Sequence, residues 1–257
     1  MRIQPFARAL AAFFLTATAT VELRAAPLVS PLTVGDLPAW QFNSLFSPMA
    51  SAPVINAAYG VMNTPVTGAV LSQVFQGSGI AAGLYAYAYQ IVVNPVADGN
   101  GQPTSVSSAS LTFNASPVAT NLLVGSGSYS AYVVKDGQIG GIPAAQAGSG
   151  GSIQSPDSIT LLSGALSRSL TFQYLNAKTG SGPLEAGSRS ATIVVLSTSP
   201  FTTQSVSIQN FNPQISYPIA YSPSSTAVPE PSTVLAWGGA LVGLALMQRR
   251  RRSSRTA

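Results

Sequence analysis

The chain has 257 residues with neither histidine nor cysteine, which excludes Ser-His-Asp and Cys-His nucleophiles and the usual zinc sites. Eight of its twelve basic residues lie before residue 27 or after residue 228, and the part between them carries four basic against five acidic residues, a net charge of −1. That part lacks the basic surface that nucleic-acid binding requires, so no nucleic-acid partner is predicted.

The N-terminal segment has the organisation of a secretory signal peptide. Arg2 and Arg8 form a basic start, and residues 9–21 are apolar and end in small residues. Residues 17–19 offer a cleavage site of the A-x-A type, and residues 23–26 offer a second end point. We therefore predict that residues 1–26 are a signal peptide, cleaved between residues 19 and 26, and that the remainder is exported.

Residues 27–221 consist of short alternating segments separated by turns. The clearest is residues 83–94, where Tyr85, Tyr87 and Tyr89 alternate with small or polar side chains. The other predicted strands are residues 54–62, 69–76, 106–114, 128–134, 158–162, 169–175, 191–198 and 205–211. Glycine-rich turns fall between them at residues 98–101, 135–137 and 146–151. Because no segment has a sustained helical period, the sequence predicts an all-β body, a single β-sandwich of jelly-roll or immunoglobulin-like type.

The row of tyrosines in this strand has two interpretations. Tyr85, Tyr87 and Tyr89 share one face and could stack on the sugar rings of a polysaccharide. The same row could instead fill the core of the sandwich or meet a neighbouring strand. Ile91 and Val93 continue the face, which favours the core.

No catalytic or metal site is predicted in the body. Its five acidic residues are scattered, so the paired carboxylates of a glycosidase are not indicated. Residues 77–82 fit G-x-G-x-x-A and residues 174–178 fit Y-x-x-x-K, but both motifs need a helix where this sequence predicts strands and turns. Residues 98–101 alternate oxygen ligands as calcium loops do, but no bidentate acid follows nearby, so a hairpin turn is the better account. The protein is predicted to be no enzyme and to use no cofactor.

The C-terminal segment combines three features in a fixed order. Residues 222–231 form a spacer rich in proline, serine and threonine, and its end overlaps the sequence Val228-Pro229-Glu230-Pro231-Ser232. An uncharged apolar run follows over residues 233–247. As a helix, residues 232–248 would be about 24 Å long, which can cross a bilayer when the flanking basic side chains extend to the interface. Residues 249–257 are then a cytoplasmic tail that stops transfer, through Arg249, Arg250, Arg251 and Arg252.

This arrangement of motif, span and arginine block resembles the PEP-CTERM sorting signal of Gram-negative bacteria. The resemblance covers about 30 of the 257 residues. It implies cleavage near the motif by an exosortase, a membrane transpeptidase-like enzyme, after a signal peptidase has removed the leader. It also implies bacteria that produce exopolysaccharide and often form biofilms.

Together these features predict an exported structural or adhesive protein of the cell surface or extracellular matrix. The membrane helix would hold it in the inner membrane only until the tail is cleaved. The alternative is a carbohydrate-binding module or glycan-active protein that acts on exopolysaccharide through an exposed aromatic platform or a carboxylate pair.

Overall fold

The computed structural model describes residues 28–60, 66–95, 105–122, 127–148, 151–164, 168–175, 183–209 and 215–224. The predicted signal peptide, sorting motif, membrane span and arginine tail lie outside these residues, as does the predicted turn at residues 98–101. The described residues form one α-helix, α1 (Ala39–Leu45), and sixteen strands. In chain order, β1 to β16 are Leu28–Pro31, Val34–Asp36, Phe46–Pro48, Ile55–Gly60, Thr67–Gly77, Tyr85–Val93, Ser105–Val106, Ser108–Thr112, Ala131–Val134, Ser158–Ser163, Arg168–Gln173, Leu184–Glu185, Thr192–Ser197, Phe201–Gln209, Ile215–Ser216 and Ile219–Pro223.

The first sheet has seven strands in the order β1-β10-β11-β8-β14-β15, with β16 also paired to β14. All of its pairs are antiparallel. Ile208 opposes Ser216 and Thr203 opposes Tyr221. Both pairs keep one register, so β15 and β16 are two halves of a single strand that is interrupted at residues 217–218.

The second sheet also has seven strands, in the order β2-β9-β13-β6-β5-β3, with β4 also paired to β5. Its pairs are antiparallel except that of β2 with β9, which is parallel. The short strands β7 and β12 form a separate two-stranded pair.

The two sheets face each other across a common hydrophobic core. Each strand presents alternate side chains to it, because successive residues of a strand point to opposite faces. The largest contributions from β6, β8, β10, β11 and β14 are Tyr87, Tyr89, Ile91, Leu111, Ile159, Leu170, Phe172 and Ile208. The prediction of an all-β, sandwich-like body is therefore confirmed for the described residues.

The second sheet is buried on both faces, which explains why its strands are so continuously apolar. All six residues of β13 are buried. Its far face packs against α1, where the ring of Phe42 stacks on Phe46 at 5.0 Å and meets Phe75 edge-on at 4.9 Å. The helix begins at Ala39, whose backbone N–H donates to Asp136 Oδ1 at 2.8 Å.

Each of the nine predicted strand segments overlaps a strand in the structure, and the chain bends as predicted at residues 136–137, shortly after β9. Three expectations need correction. The sequence showed no helix, but α1 forms a two-turn cover for the second sheet. The segment predicted as residues 106–114 is divided at Ser107 into β7 and β8. The spacer was predicted to begin at residue 222, but Ser222 is fully buried in β16 and the strand continues to Pro223.

Candidate functional site

The predicted sorting residues are outside the part of the chain that the structure describes. These are Val228, Pro229, Glu230, Pro231 and Ser232 of the motif, and Arg249, Arg250, Arg251 and Arg252 of the stop. Within the described ranges, no helix is both long enough and apolar enough to cross a membrane.

The tyrosine row of β6 lies at the centre of the core. Tyr87 and Tyr89 are 0% and 1% exposed, and Tyr85 is partly buried and packs against the same core. The Tyr87 hydroxyl donates to Ser199 O at 2.7 Å, and that of Tyr89 donates to Tyr221 O at 2.8 Å. The predicted glycan contact through this row is therefore wrong for Tyr87 and Tyr89, because their rings and hydroxyls are used inside the sandwich.

Burial also controls the protonation of these phenols. It raises the pKa of Tyr89, and likewise of Tyr59 and Tyr174, well above the ordinary value of 10.0, since a buried tyrosinate would lose its hydration. Between pH 10 and the raised values, the unfolded chain loses these protons while the folded chain keeps them. The stability that they contribute is therefore complete below pH 10 and is lost as the pH rises.

The charged residues that line a cleft beside the start of α1 contact other parts of the protein. Asp36, Leu37, Pro38, Val133, Lys135 and Asp136 line a shallow cleft of about 220 Å³ beside the start of α1. Lys135 Nζ lies 3.0 Å from Asp36 Oδ1, and Asp136 accepts the first N–H of the helix. Among the described residues there is no group of three or more His, Cys, Asp or Glu side chains that could hold a metal ion.

The outer face of the first sheet is a second, larger surface that sequence reasoning did not identify. On β8, β10 and β11, and over residues 205–209 of β14, residues alternate between buried and partly or fully exposed. We call the outward set the hydroxyl face. Its members are uncharged, and all but one carry a hydroxyl or an amide: Ser108, Ser110, Thr112, Ser158, Thr160, Leu162, Ser169, Thr171, Gln173, Ser207 and Gln209.

Strand pairing arranges the hydroxyl face in rows that cross the sheet. One row is made only of hydroxyls, Thr160, Thr171, Ser110 and Ser207, each opposite the next. With neighbouring strands about 4.8 Å apart, this row is about 14 Å long. Ser110 Oγ and Thr171 Oγ1 are hydrogen-bonded at 2.9 Å, which fixes the two side chains relative to each other.

The adjacent row contains two serines and two glutamines, Ser158, Gln173, Ser108 and Gln209. Ser158 Oγ donates to Gln173 Oε1 at 3.0 Å, and Ser108 Oγ donates to Gln209 Oε1 at 3.2 Å. Each hydroxyl can donate one hydrogen bond and accept two, and each amide has both functions. A face of this kind can contact a neutral, hydroxyl-rich ligand but offers no acid or base for proton transfer.

The alternation of polar and apolar residues in each strand was visible in the sequence. The rows were not, because they depend on which strands are neighbours, and β8 pairs with β11 and β14 rather than with strands close to it in sequence.

No known protein family matches the chain, and neither a curated protein nor a solved structure is similar to it.

Proposed function

We propose that this protein is an exported structural or adhesive component of the cell surface or extracellular matrix, sorted and cleaved through its C-terminal tail. The observation that carries the proposal is the order of three elements at the C-terminus: the motif at residues 228–232, the apolar run and the arginine block. Such a tail is an exosortase substrate in PEP-CTERM proteins, which it resembles. The span is then a transient anchor in the inner membrane.

Features of the body support an extracellular role. The body's outward sheet face is polar without charge, which gives solubility through hydroxyls and amides. The strand order does not distinguish a jelly roll from an immunoglobulin-like fold, and we propose that the body is a β-sandwich of one of these two types.

Cell fractionation tests the sorting proposal. The variant Pro229→Ala/Glu230→Ala/Pro231→Ala should accumulate in the inner membrane with its tail uncleaved, while the wild type reaches the surface or the medium in a shorter form. A matched triple variant in the spacer, Ser224→Ala/Ser225→Ala/Thr226→Ala, should behave as the wild type. If the motif variant reaches the surface in the same processed form as the wild type, the proposal is wrong.

A second candidate function is contact with exopolysaccharide. Burial of Tyr87 and Tyr89 excludes them as an aromatic platform for sugar rings, and this candidate is therefore supported by the hydroxyl face instead. Substituting the central position, Thr171→Lys, would place a long charged side chain across two rows. Retardation of the protein in gels containing the producing organism's polysaccharide should then decrease, whereas Ile80→Lys, on a 71% exposed position outside the first sheet, should leave it unchanged. Equal retardation of both variants would contradict this candidate.

A further inference from the structure

The first sheet ends in an edge strand with two exposed apolar side chains. Among the described residues, β1 pairs on one side only, with β10. Leu28 and Val29 are 66% and 59% exposed. Val29 lies opposite Leu162, which is 40% exposed on the outward side of β10. The hydroxyl face therefore ends at this edge in an apolar strip made of Leu162 and Val29.

The hydrogen-bond pattern shows which backbone groups of β1 are directed toward the free edge. Leu32 N donates to Ile159 O at 2.8 Å, and residues 32 and 159 continue the register of the β1–β10 pair. In an antiparallel pair, residues alternate between bonding to the partner strand and pointing away from it. Leu28 and Ser30 therefore bond toward β10, while Val29 and Pro31 point away. Because proline has no N–H, Val29 is the residue of β1 that presents both an N–H and a C=O to the edge.

We propose that two copies of this protein associate edge to edge through β1, with Val29 of one copy directly opposite Val29 of the other. A two-fold antiparallel pairing centred on this residue lets the two Val29 residues exchange both backbone hydrogen bonds. It also aligns four apolar side chains in one row across the interface: Leu162 and Val29 of each copy. The two first sheets then form one continuous sheet, and the two hydroxyl faces become one.

Natural edge strands are protected by short length, by proline, by charges, especially lysine, or by bulges and covering loops. β1 is short and ends in Pro31, which limits the pairing to the stretch around Val29, but charge does not protect this edge. Neither β1 nor β10 contains a charged residue. The body has a net charge of only −1, so two copies repel each other weakly. The contact is short, and we expect a reversible dimer that becomes significant at the high local concentration of a matrix.

This inference deepens the proposed matrix role by naming a second copy of the chain as a partner. The absence of cysteine gives a direct test, since a single-cysteine variant cannot form a disulfide within one chain, and a disulfide between two of its copies gives a band of twice the monomer mass. The full chain is produced in cells as Val29→Cys, and a thiol oxidant is added to the washed membrane and surface fractions. Covalent dimer is then followed on non-reducing gels. The oxidant acts on protein in any compartment, so the result does not depend on correct sorting.

Two matched controls test the register and the exposure. Leu28→Cys replaces the neighbouring, equally exposed residue, but in the proposed register its sulfur faces Ser30 of the other copy. The two introduced thiols at position 28 would then be diagonal neighbours, about 7–8 Å apart, beyond the reach of an unstrained disulfide. Ile80→Cys lies on a 71% exposed position outside the first sheet.

The expected result is that Val29→Cys forms dimer about ten times faster than either control variant. Equal rates for all three variants, or a faster rate for Leu28→Cys, would overturn the proposal. Val29→Pro gives a second readout, because it removes the outward N–H and leaves the bonds to β10 intact. The purified Val29→Pro protein should sediment as a monomer at concentrations where the wild type is partly dimeric. A Val29→Pro protein that dimerises like the wild type would also overturn the proposal.

Discussion

The hydroxyl of Tyr89 links the two sheets, and its removal should have a measurable cost. Tyr89 belongs to β6 in the second sheet, and its hydroxyl donates to the carbonyl of Tyr221 in β16 of the first sheet. Tyr89→Phe keeps the ring and its 5.7 Å contact with Phe172 but leaves this carbonyl without its phenol partner. A buried acceptor that loses its partner costs about 1–3 kcal/mol. For a body of this size, 2 kcal/mol lowers the melting temperature by about 4–8 °C.

Thermal unfolding followed by circular dichroism measures this effect. Tyr217→Phe is the matched control, because Tyr217 is 66% exposed and should lose its hydroxyl at almost no cost. Tyr89→Ala should be worse than Tyr89→Phe, since removing a buried aromatic ring costs about 3–5 kcal/mol. If Tyr89→Phe melts at the same temperature as Tyr217→Phe, the tyrosine row does not join the sheets as described.

Three further predictions concern stability. Above pH 10, the free energy of unfolding should fall as the pH rises, because burial raises the pKa of Tyr59, Tyr87, Tyr89 and Tyr174, each of which contributes about 1.4 kcal/mol per pH unit. Tyrosinate absorbance should therefore rise together with loss of the β signal, and a gradual titration of all tyrosines near pH 10 in folded protein would contradict this. Gly68→Ala should lower the free energy of unfolding measured in urea by about 3 kcal/mol or more, because the added Cβ would collide with the backbone of β6. In the control Gly60→Ala, the added Cβ lies 3.9 Å from its nearest atom and should be tolerated. Asp136→Ala should destabilise α1 and lower the free energy of unfolding by about 0.5–2 kcal/mol. Asp36→Ala should change the melting temperature little, because Asp36 is 75% exposed and its ion pair with Lys135 lies at the surface.

Several of the strands that sequence reasoning located show a clear alternation of apolar and polar residues. In β11, Leu170 and Phe172 alternate with Ser169 and Thr171, and the structure buries the first pair and leaves the second pair partly exposed. The same two-residue alternation along β6 showed that Tyr87 and Tyr89 share one face of the strand, but it could not show whether that face lies in the core or on the surface. That decision depends on which sheet covers the face, and this is a property of the tertiary fold.

The elements that sequence reasoning missed are short or stabilised from a distance. Helix α1 has only seven residues and no side-chain cap of its own, and the carboxylate that accepts its first N–H is 97 residues away in the sequence. β16 follows Pro218 and contains Ser222 and Pro223, residues typical of a linker. It is nevertheless a strand, because β14 supplies its hydrogen bonds and Ser222 Oγ donates to the carbonyl of Thr112.

The central claim, that this protein is sorted and cleaved through its tail, is tested most directly by the mass of the mature protein. Intact-mass measurement of the protein recovered from the cell surface and medium should give a chain that begins between residues 20 and 27 and ends near the motif at residues 228–232. Its mass should include none of the arginines at positions 249–252. A surface-located protein that retains residues 233–257 would contradict the account.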